Sequence, residues 1–515
     1  MRPASSIKRD MQKLAVVTIA LITALAWSSG VSAQSWNTLA TPPTFSPSTT
    51  LLLTDGTVLV YENNTSNWWK LTPKQYKMDY VDGTLAPVAS FPASMNYAPW
   101  GFASAVLPDG RVIVEGGEYN HNVLDETTKG AIYDPIADSW TEVSPPSGWT
   151  QIGDASSVVL PDGTFMLANC CDFPAQAALL DEATLTWTVL TNTSGFVGKF
   201  DRNWEEGWTL LPSGGVLTVD CYVRVKKSKW GTNSEIYDPN TGVWESAGST
   251  VNRLWDSDPG GCSKKITYEV GPALLRPDGT VFATGSNSCG AGHTAIYDTT
   301  SGVWTAGPDI PSGNDMADGP AAVAIDGTVL LDSNPGVNRK PSTFYMFDGT
   351  SFNSIPQPTG LNPVSSESAR MLVLPSGHVL LTHSARKQMW FYAPAGTYQP
   401  AWQPTICGGC YPTTVSVGGT YTVSGTQFNG LTQGAYYGDE AQSATNYPLV
   451  VITNTQTAHK FFARTHSFST MSVATGADTV STDFDVLPGT EQGYSTLVVI
   501  ANGIPSAAVD IIVNP

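Results

Sequence analysis

Five acidic residues occur at the same place relative to a repeated turn, and their types and spacing make them the residues best able to do chemistry. Each stands eight or nine positions before a tight turn: Asp154, Glu205, Glu269, Asp318 and Glu367. Asp and Glu make up only 44 of 515 residues, so a chance alignment at five of seven turns is improbable. Clustered carboxylates repel one another, which raises their pKa values unless a cation or basic side chain neutralises them.

Several chemistries remain open for this acidic set, to which Glu206 is added because it follows Glu205. Calcium or another hard cation would suit such oxygen ligands. A sugar would donate its hydroxyls to the carboxylates while Trp100 or Trp204 stacks on the ring. Two carboxylates at a suitable separation would hydrolyse a glycoside. The structural alternative is that the acids cap backbone amides, with Arg202 and Arg370 as ion-pair partners.

The elements that position these acids are hairpins repeated along the chain. Each hairpin is an apolar run, a turn of the Pro-Asp-Gly type and a second apolar run, as in AVLPDGRVIV and VVLPDGTFML. The turns begin 48 to 65 residues apart, at Asp55, Asp109, Asp162, Ser213, Asp278, Asp326 and Ser376. Two short strands around Asp-Gly predict a hairpin, and a period near 50 is typical of a β-propeller.

A large apolar residue follows each of the first six turns by 25 to 31 positions and predicts an outer strand: Leu85, Trp140, Trp187, Trp244, Trp304 and Phe352. The seventh unit lacks such a strand, and the segment around Trp36 has the right pattern to supply it. We therefore predict an all-β chain, with a seven-bladed propeller over residues 34–400. Residues 401–515 carry alternating strands without the repeat and predict an immunoglobulin-like β-sandwich.

Phrases such as IYDPIADSW and IYDPNTGVW, with the double glycine at Gly116–Gly117, resemble kelch repeats. Together with a terminal sandwich that ends in ANGIPSAAVDI, they resemble the galactose oxidase/glyoxal oxidase group over nearly all of the chain after residue 33. This resemblance implies a copper site made of two Tyr, one of them linked to a Cys, and two His.

The residues at the matching positions disfavour copper. Glu367 and Ser368 stand where the Tyr-His pair would be, Asp154 stands near the linked Tyr, and Ala103 stands near its Cys. Only His466, in RTHSFST, is a candidate match for the second His. The resemblance thus supports the architecture, and no cofactor is assigned.

Residues 1–33 have a basic start, an apolar run and a Val-Ser-Ala end, which predicts a secretory signal peptide and an exported protein, periplasmic or secreted. The net charge of −18 opposes nucleic-acid binding, and no apolar run is long enough for a membrane span. Seven cysteines in an exported chain favour disulfides. Cys407 and Cys410, and Cys262 and Cys289, are candidate pairs, and the odd count leaves one thiol over.

The leading hypothesis is a binding protein for carbohydrate or cell-surface material, with the acidic set lining the mouth of the propeller channel. The alternatives are an enzyme that acts on a glycan or polyol at the same mouth, and a copper radical oxidase whose ligands lie elsewhere. The ligand candidates are Trp100, Asp154, Trp204, Glu205, Glu206, Glu269, Asp318, Glu367 and His466.

Overall fold

The computed structural model describes residues 34–221, 231–256 and 267–515, and its regular structure is almost entirely antiparallel β-strand. The predicted leader (residues 1–33) lies outside the described residues. The helical segments of the described part are single 3-10 turns at Ala93–Met95, Pro311–Gly313, Ser366–Ser368 and Pro400–Trp402. Within the same part, no helix is long and apolar enough to cross a membrane.

Seven antiparallel sheets, called sheets I to VII, follow one another in the described chain. Six of them have four strands, and sheet VI has six, because two strands from beyond residue 400 join its four. Sheets I to III comprise Pro47–Leu52, Val58–Glu62, Trp68–Thr72 and Thr84–Val88; Ala103–Val106, Val112–Glu115, Gly130–Asp134 and Ser139–Val143; and Ser157–Val159, Phe165–Ala168, Ala177–Asp181 and Thr186–Leu190. Sheets IV and V comprise Thr209–Leu210, Val216–Val219, Asn233–Asp238 and Val243–Ser249; and Ala273–Leu275, Thr280–Thr284, Thr294–Asp298 and Val303–Ala306. Sheets VI and VII comprise Ala321–Val323, Val329–Ser333, Thr343–Phe347 and Phe352–Ile355; and Ala369–Val373, Val379–His383, Met389–Ala393 and Ser35–Thr38.

The Asp-Gly turns join the first and second strands of the sheets, as the repeat predicts. In sheet III, the Asp162 carboxylate accepts a hydrogen bond from the Thr164 backbone N–H at 3.0 Å. Gly163 has a φ of +94°, in the left-handed region that glycine adopts without steric cost. The aspartate and the glycine together close the hairpin locally, which explains why this pair of residues recurs.

The predicted Trp strands are the fourth strands of their sheets, and some of their indoles tie a sheet to the one before it. The Trp140 indole N–H donates to the Ala89 carbonyl at 2.9 Å, and the Trp187 indole donates to the Ser144 carbonyl at the same distance. The fourth strand of sheet VII is Ser35–Thr38, which pairs with Met389–Ala393. The earliest described strand therefore completes the last sheet, as predicted.

The first strands of the sheets pack side by side, which is the arrangement of a β-propeller. The first strand of sheet I packs against those of sheets II and VII, and the series continues through sheets V and VI. Between sheets III and IV, the Ser156 hydroxyl donates to the Glu206 carbonyl. The first strands are thus innermost and surround a common axis.

The strands beyond residue 400 form a mainly antiparallel sheet whose apolar side chains make a core of their own, which includes Val423, Val450 and Phe484. Its strands are Thr405–Ile406, Thr414–Ser416, Thr420–Thr426, Leu449–Asn454, Lys460–His466, Val480–Asp485, Gly493–Ala501, Ile504–Pro505 and Val509–Asn514. This region sits on the turn end of the propeller: the Ser467 N–H donates to the Pro108 carbonyl at 2.8 Å.

Residues 430–447, called the plug segment, leave this region and run between the first strands of the propeller. Its strands Gly434–Tyr436 and Ser443–Ala444 extend sheet VI, because Gly434–Tyr436 pairs with the first strand of that sheet. The Tyr447 hydroxyl donates to the Leu52 carbonyl at 2.5 Å. The approach is close, since a Cβ on Gly207 would lie 2.3 Å from the Gly438 carbonyl oxygen.

Candidate functional site

The candidate site lies at the end of the propeller opposite the Asp-Gly turns, where the first strands begin. Each residue of the acidic set precedes the first strand of its sheet by two to four positions, as Asp154 does before Ser157–Val159. A small three-stranded sheet stands beside this end and comprises Pro99–Trp100, Tyr119–Asn120 and Val123–Leu124. The repeat therefore positions the acids, and the inserted strands add aromatic side chains next to them.

Two overlapping groups of carboxylates form the centre of the site. In the first group, one carboxylate oxygen each from Asp154, Glu205 and Asp439 lie within 4.8 Å of one another. In the second group, the same holds for Glu205, Glu269 and Asp318. Glu205 belongs to both groups and therefore connects sheet III, sheet V and the plug segment.

Further carboxylates surround these two groups, and we call the whole assembly the acidic mouth: Glu118, Glu126, Asp154, Glu205, Glu269, Asp318, Glu367, Asp439 and Glu440. Arg370 lies at the side of the acidic mouth and contacts Glu440, Glu367 and Tyr437 rather than the two central groups. Its guanidinium contacts Glu440 Oε1 at 3.2 Å, donates to the Glu367 carbonyl at 2.7 Å and stacks over the Tyr437 ring at 3.8 Å. Among the described residues, no ion pair neutralises Asp154, Glu205 or Asp439.

Burial and mutual repulsion raise the pKa values of these carboxyl groups. Burial, with the charges of Glu440 and Glu126, raises the pKa of Glu118 to about 8. Burial also raises the pKa of Asp318 to about 7, with Glu440 and Glu367 adding to the effect. The pKa values of Asp154 and Glu205 rise well above the usual range for the same two reasons. The acidic mouth at neutral pH therefore attracts protons or cations strongly.

Two of these residues have a backbone conformation that is costly for a residue with a side chain. Glu205 has a φ of +61° and Asp318 a φ of +43°, both in the left-handed region. Such strain persists only where the surrounding structure imposes it, and it clusters at functional sites. Here it turns both carboxylates toward the second group.

The open side of the acidic mouth is a depression of about 900 Å³, including the solvent above it. Its lining includes Trp100, Glu118, Tyr119, Glu269, Asp318 and Glu367. The Trp100 and Tyr119 rings meet edge to face with their centroids 5.5 Å apart. Trp204 is half-buried immediately before Glu205. Aromatic faces thus stand beside carboxylates, a combination that suits a ligand with both hydroxyls and an apolar face.

The cysteine pairing near the mouth was not predicted from the sequence. Cys170 and Cys171, consecutive in the chain, form a disulfide, and Cys170 Sγ lies 3.8 Å from Glu126 Oε2. The predicted Cys407–Cys410 disulfide is present. Cys289 is disulfide-bonded, and its predicted partner Cys262 lies outside the described residues. Within the described part of the chain, the free cysteine is Cys221, which is buried.

Glu206 does not join the acidic mouth, although it follows Glu205. Its side chain turns to the other side of the backbone, where Glu206 Oε1 lies 3.1 Å from the Lys199 ammonium. The structure thus separates two consecutive acids that the sequence analysis treated as one candidate.

His466 also lies away from the acidic mouth. Its Nε2 is 3.3 Å from Asp485 Oδ1, and its Nδ1 is 2.9 Å from the Ser467 hydroxyl, at the turn end of the propeller. The plug segment reaches the mouth instead, with Asp439 and Glu440. Sequence reasoning missed these two because they belong to no repeat; the only signal is an Asp-Glu pair in a stretch with few charges.

The donors present at the mouth do not fit copper. The positions that would carry tyrosine and histidine hold Asp154, Glu367 and Ser368, and the plug segment supplies Asp439 and Glu440. In the described chain, no histidine nitrogen is grouped with these carboxylates. Imidazole and thiolate ligands suit copper, whereas carboxylate oxygens suit hard cations.

Comparison with known proteins yields a local sequence match and distant structural similarities. No protein-family model matches the chain. Over 93 residues the chain is 32% identical to the Kelch-like protein terF of Aspergillus terreus. The matched stretch covers 18% of this chain and 19% of that protein. The chain therefore matches only about a fifth of the length of this curated relative.

Two solved structures are similar in outline. A fungal alcohol oxidase of the AA5 family, in complex with copper, has a TM-score of 0.49 at 15% identity and covers 94% of this chain and 100% of its own. Hydrazine synthase of Kuenenia stuttgartiensis has a TM-score of 0.41 at 13% identity and covers 69% and 98%. The sheets described above are those of an all-β propeller, and the local sequence match is to a Kelch-like protein.

Proposed function

We propose that this chain is an exported binding protein, a seven-bladed kelch-type propeller over residues 34–400 followed by an immunoglobulin-like sandwich over residues 401–515, that recognises carbohydrate at the acidic mouth. The observation that carries the proposal is the open depression, which has Trp100 and Tyr119 on its wall and Glu269, Asp318 and Glu367 beside them. Carboxylates accept hydrogen bonds from sugar hydroxyls, and an aromatic ring packs on the apolar face of a sugar.

Glycan binding by the chain tests this proposal. An array of neutral and cationic glycans should identify a ligand, and calorimetry should then show that Trp100→Ala weakens its binding by about tenfold or more, since a well-buried aromatic contact contributes 1–3 kcal/mol. Trp36→Ala is the matched control, because Trp36 lies in the fourth strand of sheet VII, away from the mouth. Absence of binding to any glycan, or equal losses for both variants, would contradict the proposal.

An enzyme acting on a glycan or polyol at the same mouth is the second candidate, and the Glu269–Asp318 pair favours it. These two carboxyls hydrogen-bond each other, and burial raises the pKa of Asp318 to about 7, suited to proton transfer near neutral pH. Turnover of a bound glycan, abolished by Glu269→Gln, would select the enzyme over the binding protein. Peroxide release from primary alcohols after addition of copper would instead support the oxidase alternative, which the donor set opposes.

A further inference from the structure

The carboxylates deepest in the acidic mouth come from three separate parts of the chain. Asp154 precedes the first strand of sheet III, Glu205 precedes that of sheet IV, and Asp439 belongs to the plug segment. Their nearest oxygens lie within 4.8 Å of one another. Calcium binds oxygens at about 2.3–2.6 Å, so two oxygens on opposite sides of one ion lie about 5 Å apart. The spacing therefore matches a single coordination sphere.

A second, independent observation is that one carboxylate oxygen of this group is buried without a partner. Asp154 is only 8% exposed, and its Oδ1 has no hydrogen-bond partner. Buried polar atoms are almost always paired, because an unpaired one costs about 1–3 kcal/mol. Asp439 is 2% exposed, and Glu440 and Glu205 are close enough for their charges to repel its carboxylate. The nearby guanidinium of Arg370 pairs with Glu440, and among the described residues no basic side chain forms an ion pair with this group.

We propose that Asp154, Glu205 and Asp439 bind one hard divalent cation of the calcium class, which fastens the plug segment to sheets III and IV. Carboxylate oxygens are among the hard oxygen donors that such cations prefer. The cation would offset most of the charge of three adjacent carboxylates. The inference goes beyond the proposed function because the cation needs no carbohydrate for binding.

The test is a titration of the full chain after treatment with a chelator and without any glycan. Calcium should bind saturably with one ion per chain, as measured by calorimetry, and Mg²⁺ and Mn²⁺ serve as the comparison cations. Asp154→Asn and Asp439→Asn should each weaken the binding by about tenfold or more. Asp332→Asn is the matched control, since Asp332 is fully buried with unpartnered oxygens in sheet VI and should leave the affinity unchanged.

Hydrogen exchange measured on the unaltered chain tests the proposal even where a variant folds poorly. Calcium should slow hydrogen exchange of the amides in residues 434–447, since the ion would hold the plug segment. The proposal is overturned if none of the three cations binds, if the variants bind like the unaltered chain, or if exchange in the plug segment is unchanged. Failure of glycan binding alone leaves these results unaffected, so the two proposals are tested separately.

Discussion

The acidic mouth and the cluster around Lys199 are two dense groups of carboxylates that solve the problem of charge repulsion differently. In the Lys199 cluster, the ammonium is 1% exposed and lies 2.6 Å from Asp201, 2.9 Å from Glu235, 3.1 Å from Glu206 and 3.7 Å from Asp220. The acidic mouth has no such central cation among its described neighbours. The comparison teaches that an acidic cluster indicates a ligand only where the chain does not supply the cation itself.

The boundary between the two groups runs between consecutive residues. Glu205 contributes to the mouth and Glu206 to the Lys199 cluster, where Glu206 Oε2 also accepts a hydrogen bond from Thr218. A buried charge must be paired in the folded chain or supplied with a counter-charge from outside. Glu206 is paired within the chain, by Lys199, whereas Glu205 requires a counter-charge from outside.

The largest effect should come from removing the internal cation. Lys199→Met would leave several buried carboxylates without their counter-charge, and we expect the free energy of unfolding to fall by about 3–5 kcal/mol. Chemical denaturation measures this, with the exposed Lys387→Met as control. A loss below about 1 kcal/mol would mean that the Lys199 cluster is not a structural ion-pair network, and the comparison would fail.

Matched amide substitutions should have opposite effects in the two groups. Glu206→Gln weakens a buried charged contact, so we expect a loss of about 2 kcal/mol. Asp154→Asn removes a buried carboxyl that is costly to ionise and has an unpartnered oxygen, so in metal-free buffer we expect a gain of about 0.5–1 kcal/mol. Thermal unfolding of both variants, with and without calcium, provides the readout. Equal losses in metal-free buffer would remove the distinction between the two groups.

Much of this contrast could be predicted from the sequence, and the rest could not for physical reasons. The Asp-Gly turns set the hairpin register, and that register places Asp154, Glu205, Glu269 and Asp318 at one end of the propeller. The repeat says nothing about the plug segment, because Asp439 reaches the mouth through a long-range contact with no local pattern. Nor does adjacency in sequence show that two neighbouring side chains face different clusters.

The pH dependence of stability should report on the acidic mouth through its response to calcium. A carboxyl whose pKa is raised by folding binds its proton more tightly in the folded chain. The folded chain therefore loses stability as the pH rises and this carboxyl gives up its proton. The loss begins above the pKa of the unfolded chain, near 4, and is complete only above the pKa of the folded chain. The folded value is about 8 for Glu118 and about 7 for Asp318. We expect the metal-free chain to lose stability steadily between pH 5 and pH 8.

Calcium should reduce this pH dependence, because it replaces protons in the acidic mouth. Glu118→Gln should reduce it as well. Burial also raises the pKa values of Glu206 and Asp220 in the Lys199 cluster well above their ordinary range, so this cluster should add a loss that calcium does not reduce. Burial opposes the charge of Lys199, but the surrounding carboxylates raise its pKa well above its ordinary value. If the stability of the metal-free chain were constant or rose from pH 5 to pH 8, the carboxyls of the acidic mouth would not have the raised pKa values assigned to them.

The most direct test of the acidic mouth as a ligand site is a crystal structure of the chain grown with Mn²⁺, with anomalous scattering used to locate the ion. We expect one strong peak between Asp154, Glu205 and Asp439, at roughly the bonding distance of a hard cation to carboxylate oxygen. A map without a peak there, in which those oxygens instead contact a lysine or arginine of the chain itself, would contradict the account. The mouth would then be a second structural cluster of the same kind as that around Lys199.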